Sequence, residues 1–396
     1  MTSKGVQALL ARPAGKFPIV AMLVVLLHAC AREDPAVAAE RERACAGPPI
    51  KTIEDRQAAY EQGYAIDRRY DCIDRRSYET VQRQNAENEK ARKERREREE
   101  REARTGVQAV RSGPGLRAAR EGFVTAVSMP ASGSPLPVPP PDLFVRSDYR
   151  NPQGRVLAAY VTPDPRDGEK HAAIVWLTGG DSNTLDEFWT EGAPTNDQSA
   201  SAYRKAGIVM MFPTLRGGNT DDGRKEFLFG EVDDVEAAAR HLAELPYVDA
   251  QHVYLGGHST GGTLALLTAE SSTRFSAVFA FGALSRADRY PPSLAPNFGA
   301  LDLREARLRS PIEWLDGITT PTWLIEGAEA PGNHEALNEM CERTRNAAVH
   351  CISVPGFDHF SVLGNVSRVI AARLAVASAG VEFSLRQQDF QRTGGH

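Results

Sequence analysis

The chain has 396 residues, of which 41% are hydrophobic and 25% charged, with a formal net charge of −5. It is longer than the usual single domain, so one large domain plus further segments is expected, with enough chain for a sizeable core. The composition is that of an ordinary globular protein, and the charge balance gives no electrostatic reason to expect a nucleic-acid partner.

The first segment reads as an export leader rather than as part of a fold. Lys4, Arg12 and Lys16 precede a short apolar run, Ile19 to Leu27, too short to span a bilayer comfortably. The run ends in Leu27-His28-Ala29-Cys30, which resembles a bacterial lipoprotein signal in which the cysteine is lipidated, although His28 stands where a small residue is usual. Lipidation of Cys30 would anchor the protein to a membrane surface without a spanning helix; ordinary cleavage with an unmodified Cys30 is the alternative. Export to an oxidising envelope permits disulfides. The remaining cysteines, Cys45, Cys72, Cys341 and Cys351, fall as two sequence-local pairs without the spacing of a zinc or redox site. Two bridges are expected, with buried free thiols as the other reading.

From Ile53 to Val81 apolar residues recur at helical spacing, which predicts a helix with one adhesive face and a protein partner for that face. From Glu87 to Arg104 seven acidic and eight basic residues alternate, with Glu four positions before a base at Glu89/Lys93, Glu94/Arg98, Glu97/Arg101 and Glu100/Arg104. Such pairs add only about 0.2–0.5 kcal/mol each, so a solvated single helix or stalk is expected. The stretch from Thr105 to Pro141, with Ser-Gly-Pro-Gly and the run Pro135-Leu136-Pro137-Val138-Pro139-Pro140-Pro141, reads as an extended linker and places a domain boundary before Asp142.

Beyond Asp142 short β-rich runs alternate with helical ones. Strands are expected at Leu143–Ser147, Val156–Val161, Ala173–Leu177, Ile208–Phe212, Val253–Gly256, Val278–Phe281, Thr322–Ile325 and His350–Val354. Helices are expected at Glu231–Leu245, Thr260–Glu270, Ala336–Arg345 and near Val366–Ala377. The pattern predicts an α/β class with a mostly parallel eight-stranded sheet, its first strands an antiparallel edge.

Within this pattern Gly257-His258-Ser259-Thr260-Gly261 is a GxSxG sequence between a strand and a helix, the context in which a serine sits on a sharp turn with its hydroxyl above the sheet. Ser259 is therefore the candidate nucleophile. A serine hydroxyl needs a base. Of the nine histidines, His359 has the right address, beyond the last strand in Val354-Pro355-Gly356-Phe357-Asp358-His359-Phe360. His350 falls inside that strand, His334 in the loop before it, and His258 adjoins the serine, with its ring directed elsewhere. The acid that orients the base should follow Thr322–Ile325, in Glu326-Gly327-Ala328-Glu329-Ala330. Glu329 is the choice and Glu326 the alternative, because Glu326 ends the strand and is expected to point away. For the oxyanion, the donors expected are the N–H of Thr260 and that of Gly180 or Asp181, in the turn Leu177-Thr178-Gly179-Gly180-Asp181.

Together these segments, with Phe212-Pro213-Thr214-Leu215-Arg216-Gly217-Gly218, Glu231-Val232-Asp233-Asp234-Val235, Tyr247-Val248-Asp249, Ser310-Pro311-Ile312 and Asp358-His359-Phe360, resemble the catalytic domain of prolyl oligopeptidase-like serine peptidases and their esterase relatives. The resemblance implies an α/β-hydrolase fold, with Ser259 as nucleophile and His359 as base. It covers roughly Asp142 to Ala379. The family's usual acid position is occupied here by Ala330, and residues 31–141 are too few and too helical for the propeller that precedes such domains. The organisation expected is a leader at 1–29, a charged helical extension at 30–104, a linker at 105–141, the α/β-hydrolase catalytic domain at 142–380 and a tail at 381–396. The loop Leu284–Arg309 is expected to form part of the substrate wall. A serine hydrolase acting on a small peptide or ester substrate follows, peptidase slightly ahead of carboxylesterase, with a catalytically silent envelope scaffold as the rival reading. Neither a cofactor nor a metal is implied, since HExxH and clustered His/Cys spacing are both absent.

Overall fold

The computed structural model describes residues 35–52, 55–56, 58–59, 62, 64–67, 69–83, 85–86, 90, 115–291, 294–296, 298, 302–377 and 383–390. The leader, Cys30 and nearly all of the charged run Glu87–Arg104 lie outside them. The chain divides into two compact units, meeting at Arg111 and Ser112.

In the first unit α1 (Pro35–Ala44) leads into a three-stranded antiparallel sheet of β1 (Cys45–Pro49), β2 (Ile66–Asp67) and β3 (Cys72–Asp74), with β3 in the middle. The single helix expected over Ile53–Val81 is therefore interrupted. Asp67 accepts the N–H of Arg69 at 2.9 Å, and Asp71 sits at a positive φ of 54°. Aspartates that satisfy nearby main chain in this way compete with helix. Asp74 then accepts the N–H of Ser77 at 2.9 Å, capping a helical stretch that begins at residue 75. Cys45 and Cys72 are bridged, with Cα atoms 5.7 Å apart, and Ile50, Ala59, Tyr64 and Ile73 form a small core beside them.

The second unit is built on an eight-stranded sheet whose spatial order is β4 (Val145–Arg146), β7 (Ala159–Val161), β9 (Val209–Pro213), β8 (His171–Leu177), β10 (Val248–His258), β11 (Val278–Phe281), β12 (Thr322–Gly327) and β13 (Val349–Val354). From β9 to β13 neighbours are parallel, and the β4 and β7 edge is antiparallel. This is the α/β-hydrolase fold. The expected strand Val156–Val161 is split, because β6 (Val156–Leu157) turns away to pair with β5 (Tyr149–Arg150).

Strand alternation feeds two cores. Ala173, Val175 and Leu177 face one side with Val253, Leu255 and Leu324, where α4 (Glu231–Ala243) and α5 (Thr260–Ser271) cover them. Ile174 and Trp176 face the other with Phe279, Phe281 and Trp323, under α3 (Ser201–Lys205) and α8 (Ser361–Ala377). A parallel sheet covered on both faces needs such continuous apolar strands. Cys341 on α7 (His334–Arg343) is bridged to Cys351 on β13, with Cα atoms 6.2 Å apart.

Two boundaries differ from expectation. Residues 115–141 pack into this unit and are no spacer: Leu116 on α2 (Leu116–Arg120) and Val127 are buried in its core, and the proline run supplies carbonyls to its side chains. Tyr160 Oη donates to Pro137 O at 2.6 Å and Asn219 Nδ2 to Pro135 O at 2.9 Å. The proposed tail also belongs here, since Trp323 Nε1 donates to Leu385 O at 3.0 Å and Phe390 is buried. Proline-rich composition signals extended chain, and extended chain can lie against a surface that bonds its carbonyls.

Glu270, near the end of α5, is fully buried with neither carboxyl oxygen hydrogen-bonded. Burial, with the nearby charge of Glu313, pushes its carboxyl well above the ordinary carboxylate range. Below about pH 4 the folded and unfolded states both hold the proton; as pH rises the unfolded chain gains by ionising first, so stability falls. Glu270→Gln, which keeps the neutral form, should raise the melting temperature by about 2–6 °C at pH 7–8 and leave it nearly unchanged at pH 4, as read by thermal melts.

Candidate active site

The site is assembled at the C-terminal ends of β10 to β13. Ser259 follows the last residue of β10 directly and caps α5, at φ 56° and ψ −115°. A non-glycine residue in that region is strained. The strain is held by its surroundings: Ser259 N–H donates to Phe281 O at 2.8 Å, and the serine O accepts from Thr263 N–H at 2.9 Å. Ser259 remains half-buried, so its hydroxyl is reachable.

His359 lies in the loop after β13, buried, with Nδ1 3.0 Å from Glu326 Oε2. The acid beside the imidazole is thus Glu326 and not Glu329. The sequence reading ended the strand at Ile325, but β12 continues through Gly327, pairing Glu326 with Ser353. Glu326 consequently keeps its strand orientation toward the imidazole. Its other partners are N–H groups: Gly327 at 2.9 Å on Oε1 and Asn333 at 3.2 Å on Oε2. Glu329 is exposed, its carboxylate accepting, among the described residues, only a long bond from Gly356 N–H at 3.3 Å. A carboxylate on Nδ1 fixes the tautomer that leaves the Nε2 lone pair for a serine proton.

Gly282 was missed by the sequence reading. It has φ +61°, and a Cβ there would fall 2.3 Å from His359 Cε1 and 3.1 Å from Glu326 Oε2. Any side chain would displace the imidazole. Asn333, also missed, donates Nδ2 to Gly282 O at 2.7 Å while its N–H meets Glu326, so it ties the acid to β11. A glycine straight after an apolar strand was the available signal for the first; nothing local marked the second.

The turn after β8 passes against the nucleophile. A Cβ on Gly179 would be 3.3 Å from Ser259 Cβ, and Gly180 has φ +68°. Thr260 heads α5, where main-chain N–H groups have no partner within the helix. Thr260 thus follows Ser259 at the head of α5, and Gly180 and Asp181 follow the glycine that lies against it. Several contacts hold the turn: Asp181 Oδ2 pairs with Lys225 Nζ at 2.5 Å, Asn183 Nδ2 donates to Glu231 Oε1 at 3.0 Å, and Asn219 Oδ1 accepts from Leu185 N–H at 2.8 Å. Glu231 is buried, which raises its carboxyl against the opposing pull of Arg216. Arg216 in turn grips Asp234 through Nε and Nη2, each at 2.9 Å. Of the expected substrate wall, Tyr290 Oη donates to Thr263 Oγ1 at 2.6 Å and its ring meets Phe227 edge-on; residues 292–293, 297 and 299–301 lie outside the described residues.

Residues 194–290, which include the elbow, match the prolyl oligopeptidase family. The match spans 97 of the 396 residues, within a chain whose fold is that of the α/β-hydrolases. The chain is similar to solved structures of low identity. A puromycin hydrolase is 19% identical with a TM-score of 0.49, covering 61% of this chain and 40% of that one. A puromycin-hydrolyzing peptidase of Mycobacterium tuberculosis is 19% identical with a TM-score of 0.49, covering 61% and 41%. An esterase of Pyrococcus furiosus is 14% identical with a TM-score of 0.46, covering 63% and 97%. The chain thus spans about two fifths of the length of the puromycin hydrolase. No curated protein matches it. Among the described residues no group of three His, Cys, Asp or Glu side chains is placed to hold a metal ion.

The two glutamates separate cleanly by substitution. Glu326→Gln should lower kcat about 10³–10⁴-fold on an activated ester, whereas Glu329→Gln should stay within about twofold of the parent. Equal losses in both would detach Glu326 from the imidazole.

Proposed function

We propose that the chain is an exported serine hydrolase that cleaves a peptide or ester bond through an acyl-enzyme, with prolyl oligopeptidase-like peptide cleavage favoured over carboxylester hydrolysis. The observation that carries this reading is the buried Glu326–His359 bond behind a strained, reachable Ser259. In this mechanism Ser259 Oγ attacks the carbonyl carbon while His359 Nε2 takes its proton. The oxyanion is received by the Thr260 N–H and by that of Gly180 or Asp181. The imidazolium, oriented by Glu326, protonates the leaving group, and a water activated by His359 then frees the acyl group and regenerates Ser259. The match over residues 194–290 supports the peptide preference.

A fluorophosphonate probe should label the intact protein at Ser259, with labelling lost in Ser259→Ala and strongly slowed in His359→Ala. A folded protein that takes no label is the silent scaffold instead. Hydrolysis of p-nitrophenyl esters without cleavage of any member of a peptide library would move the assignment to carboxylesterase.

Location in the bacterial envelope is part of the same proposal. Its support is the basic, then apolar leader ending at Cys30, together with the bridges Cys45–Cys72 and Cys341–Cys351, which suit an oxidising compartment. Among the described residues no helix is long and apolar enough to cross a membrane, so attachment would fall to a lipid on Cys30, and a partner for the N-terminal unit would be met there. Cys30→Ala should move the exported protein from the membrane fraction to the soluble one; retention in the membrane fraction would exclude this anchor.

A further inference from the structure

His258 is the last residue of β10, directly before Ser259, and the reaction as written gives it no part. It is buried, and its ring lies 4.4 Å from that of His359, centroid to centroid. Its Nε2 is 3.0 Å from the carbonyl oxygen of His359. A ring nitrogen facing a carbonyl must carry the hydrogen, so Nε2 is the donor. The ring is neutral: burial, reinforced by His359 alongside, pushes it down to about 3. Nδ1 lies 3.1 Å from Gln198 Oε1, whose amide NH2 is donated to Asn196 Oδ1 at 2.6 Å; a neutral ring has one N–H, and it goes to the shorter, buried contact with the His359 carbonyl.

The bond matters because of what it joins. His359 follows the turn Pro355–Gly356, outside any strand or helix, and a base carried on such a loop needs its main chain fixed if its ring is to stay in register with the serine. Its N–H donates to Pro331 O at 3.0 Å, and Nδ1 donates to Glu326. The carbonyl is the third tie, and it runs to the residue covalently next to Ser259. Base and nucleophile are thereby referred to the same strand end, and Nε2 is left for the serine.

We propose that His258 is a positioning residue, whose ring N–H to the main chain of His359 locks the base to the strand that carries the nucleophile. This rests on the reading of Ser259 and His359 as nucleophile and base. Misplacement of a reacting group by about 1 Å costs about 100-fold in rate, which sets the scale of the expected loss.

The test compares the full-length parent with His258→Phe, His258→Gln and His359→Ala, using p-nitrophenyl ester turnover, fluorophosphonate labelling rate and thermal melting. Phe keeps a ring of similar size without the N–H; Gln reaches about as far as the imidazole Nε2 and keeps it. His258→Phe should lose about 10–100-fold in kcat with KM within about twofold, and its labelling rate should fall in parallel. His258→Gln should recover to within a few-fold of the parent. If the Phe variant does not fold, His258→Asn, polar but too short to reach the carbonyl, must show the same loss while melting like the parent. Parental kcat in a folded Phe or Asn variant overturns the proposal, and so do equal losses in Phe and Gln. Parental labelling of His359→Ala would instead overturn the reading of the base, whatever the His258 variants do.

Discussion

One strained residue sets the terms for the rest of the site. Ser259 is held at a positive φ that costs on the order of 1–3 kcal/mol. What over-determines the turn is the close approach of main chain around it. A Cβ on Gly257 would fall 2.4 Å from Gly261 O, one on Gly261 2.3 Å from Leu177 O, and one on Gly262 2.2 Å from Phe281 O. These glycines let β8, β10, β11 and the start of α5 come within contact of one another. The sheet then supplies the constraint, since β10 is paired on both sides, to β8 and β11. The strain is tolerated because a two-sided core must be disrupted before the turn can relax.

From that fixed point the end of β11 acts as the junction for the candidate catalytic residues. Phe281 O takes the Ser259 N–H, Gly282 O takes the Asn333 amide, and the bare Cα of Gly282 faces both the imidazole and the Glu326 carboxylate. Ser259, His359 and Glu326 come from three different stretches of the chain, yet each is referenced to the same two residues. Preorganisation here is thus a property of strand ends more than of the loops that follow them.

Much of this was legible before any coordinates. The elbow has a local signature because the chemistry demands glycines around a serine at a strand-to-helix turn, and His359 was reached by chain order alone. The buried strands declared themselves through continuous apolar runs such as Ala173–Leu177. The acid was misread at Glu329 because a strand's end is fixed by its neighbour: β12 runs on to Gly327 only because β13 pairs with it through Val354. The linker was misread for a related reason. Its prolines signal extension, while the side chains that capture its carbonyls, Tyr160 and Asn219, lie 23 and 84 residues away from them in sequence. The helix over Ile53–Val81 failed where aspartates turned the chain and a bridge to Cys45 held β3.

Two sets of buried polar groups in this unit differ in a way that bears on their purpose. Around the turn after β8 Asn183, Arg216, Glu231 and Asp234 are buried and mutually bonded. Such a network is poor support for stability, because apolar replacements of similar volume are often as stable. Its geometry is what an apolar cluster would not supply: Asn183 is linked at once to Arg216 O, to Glu231 and, through its own carbonyl, to Leu215 N–H. A main-chain turn that must present N–H groups at a fixed point gains directionality from those bonds, which dispersion contacts lack. At the opposite end of α5, Glu270 is buried with neither oxygen bonded and serves no such turn. The contrast places the satisfied polar network where orientation is needed for chemistry, and leaves the unsatisfied carboxyl where only packing is at stake.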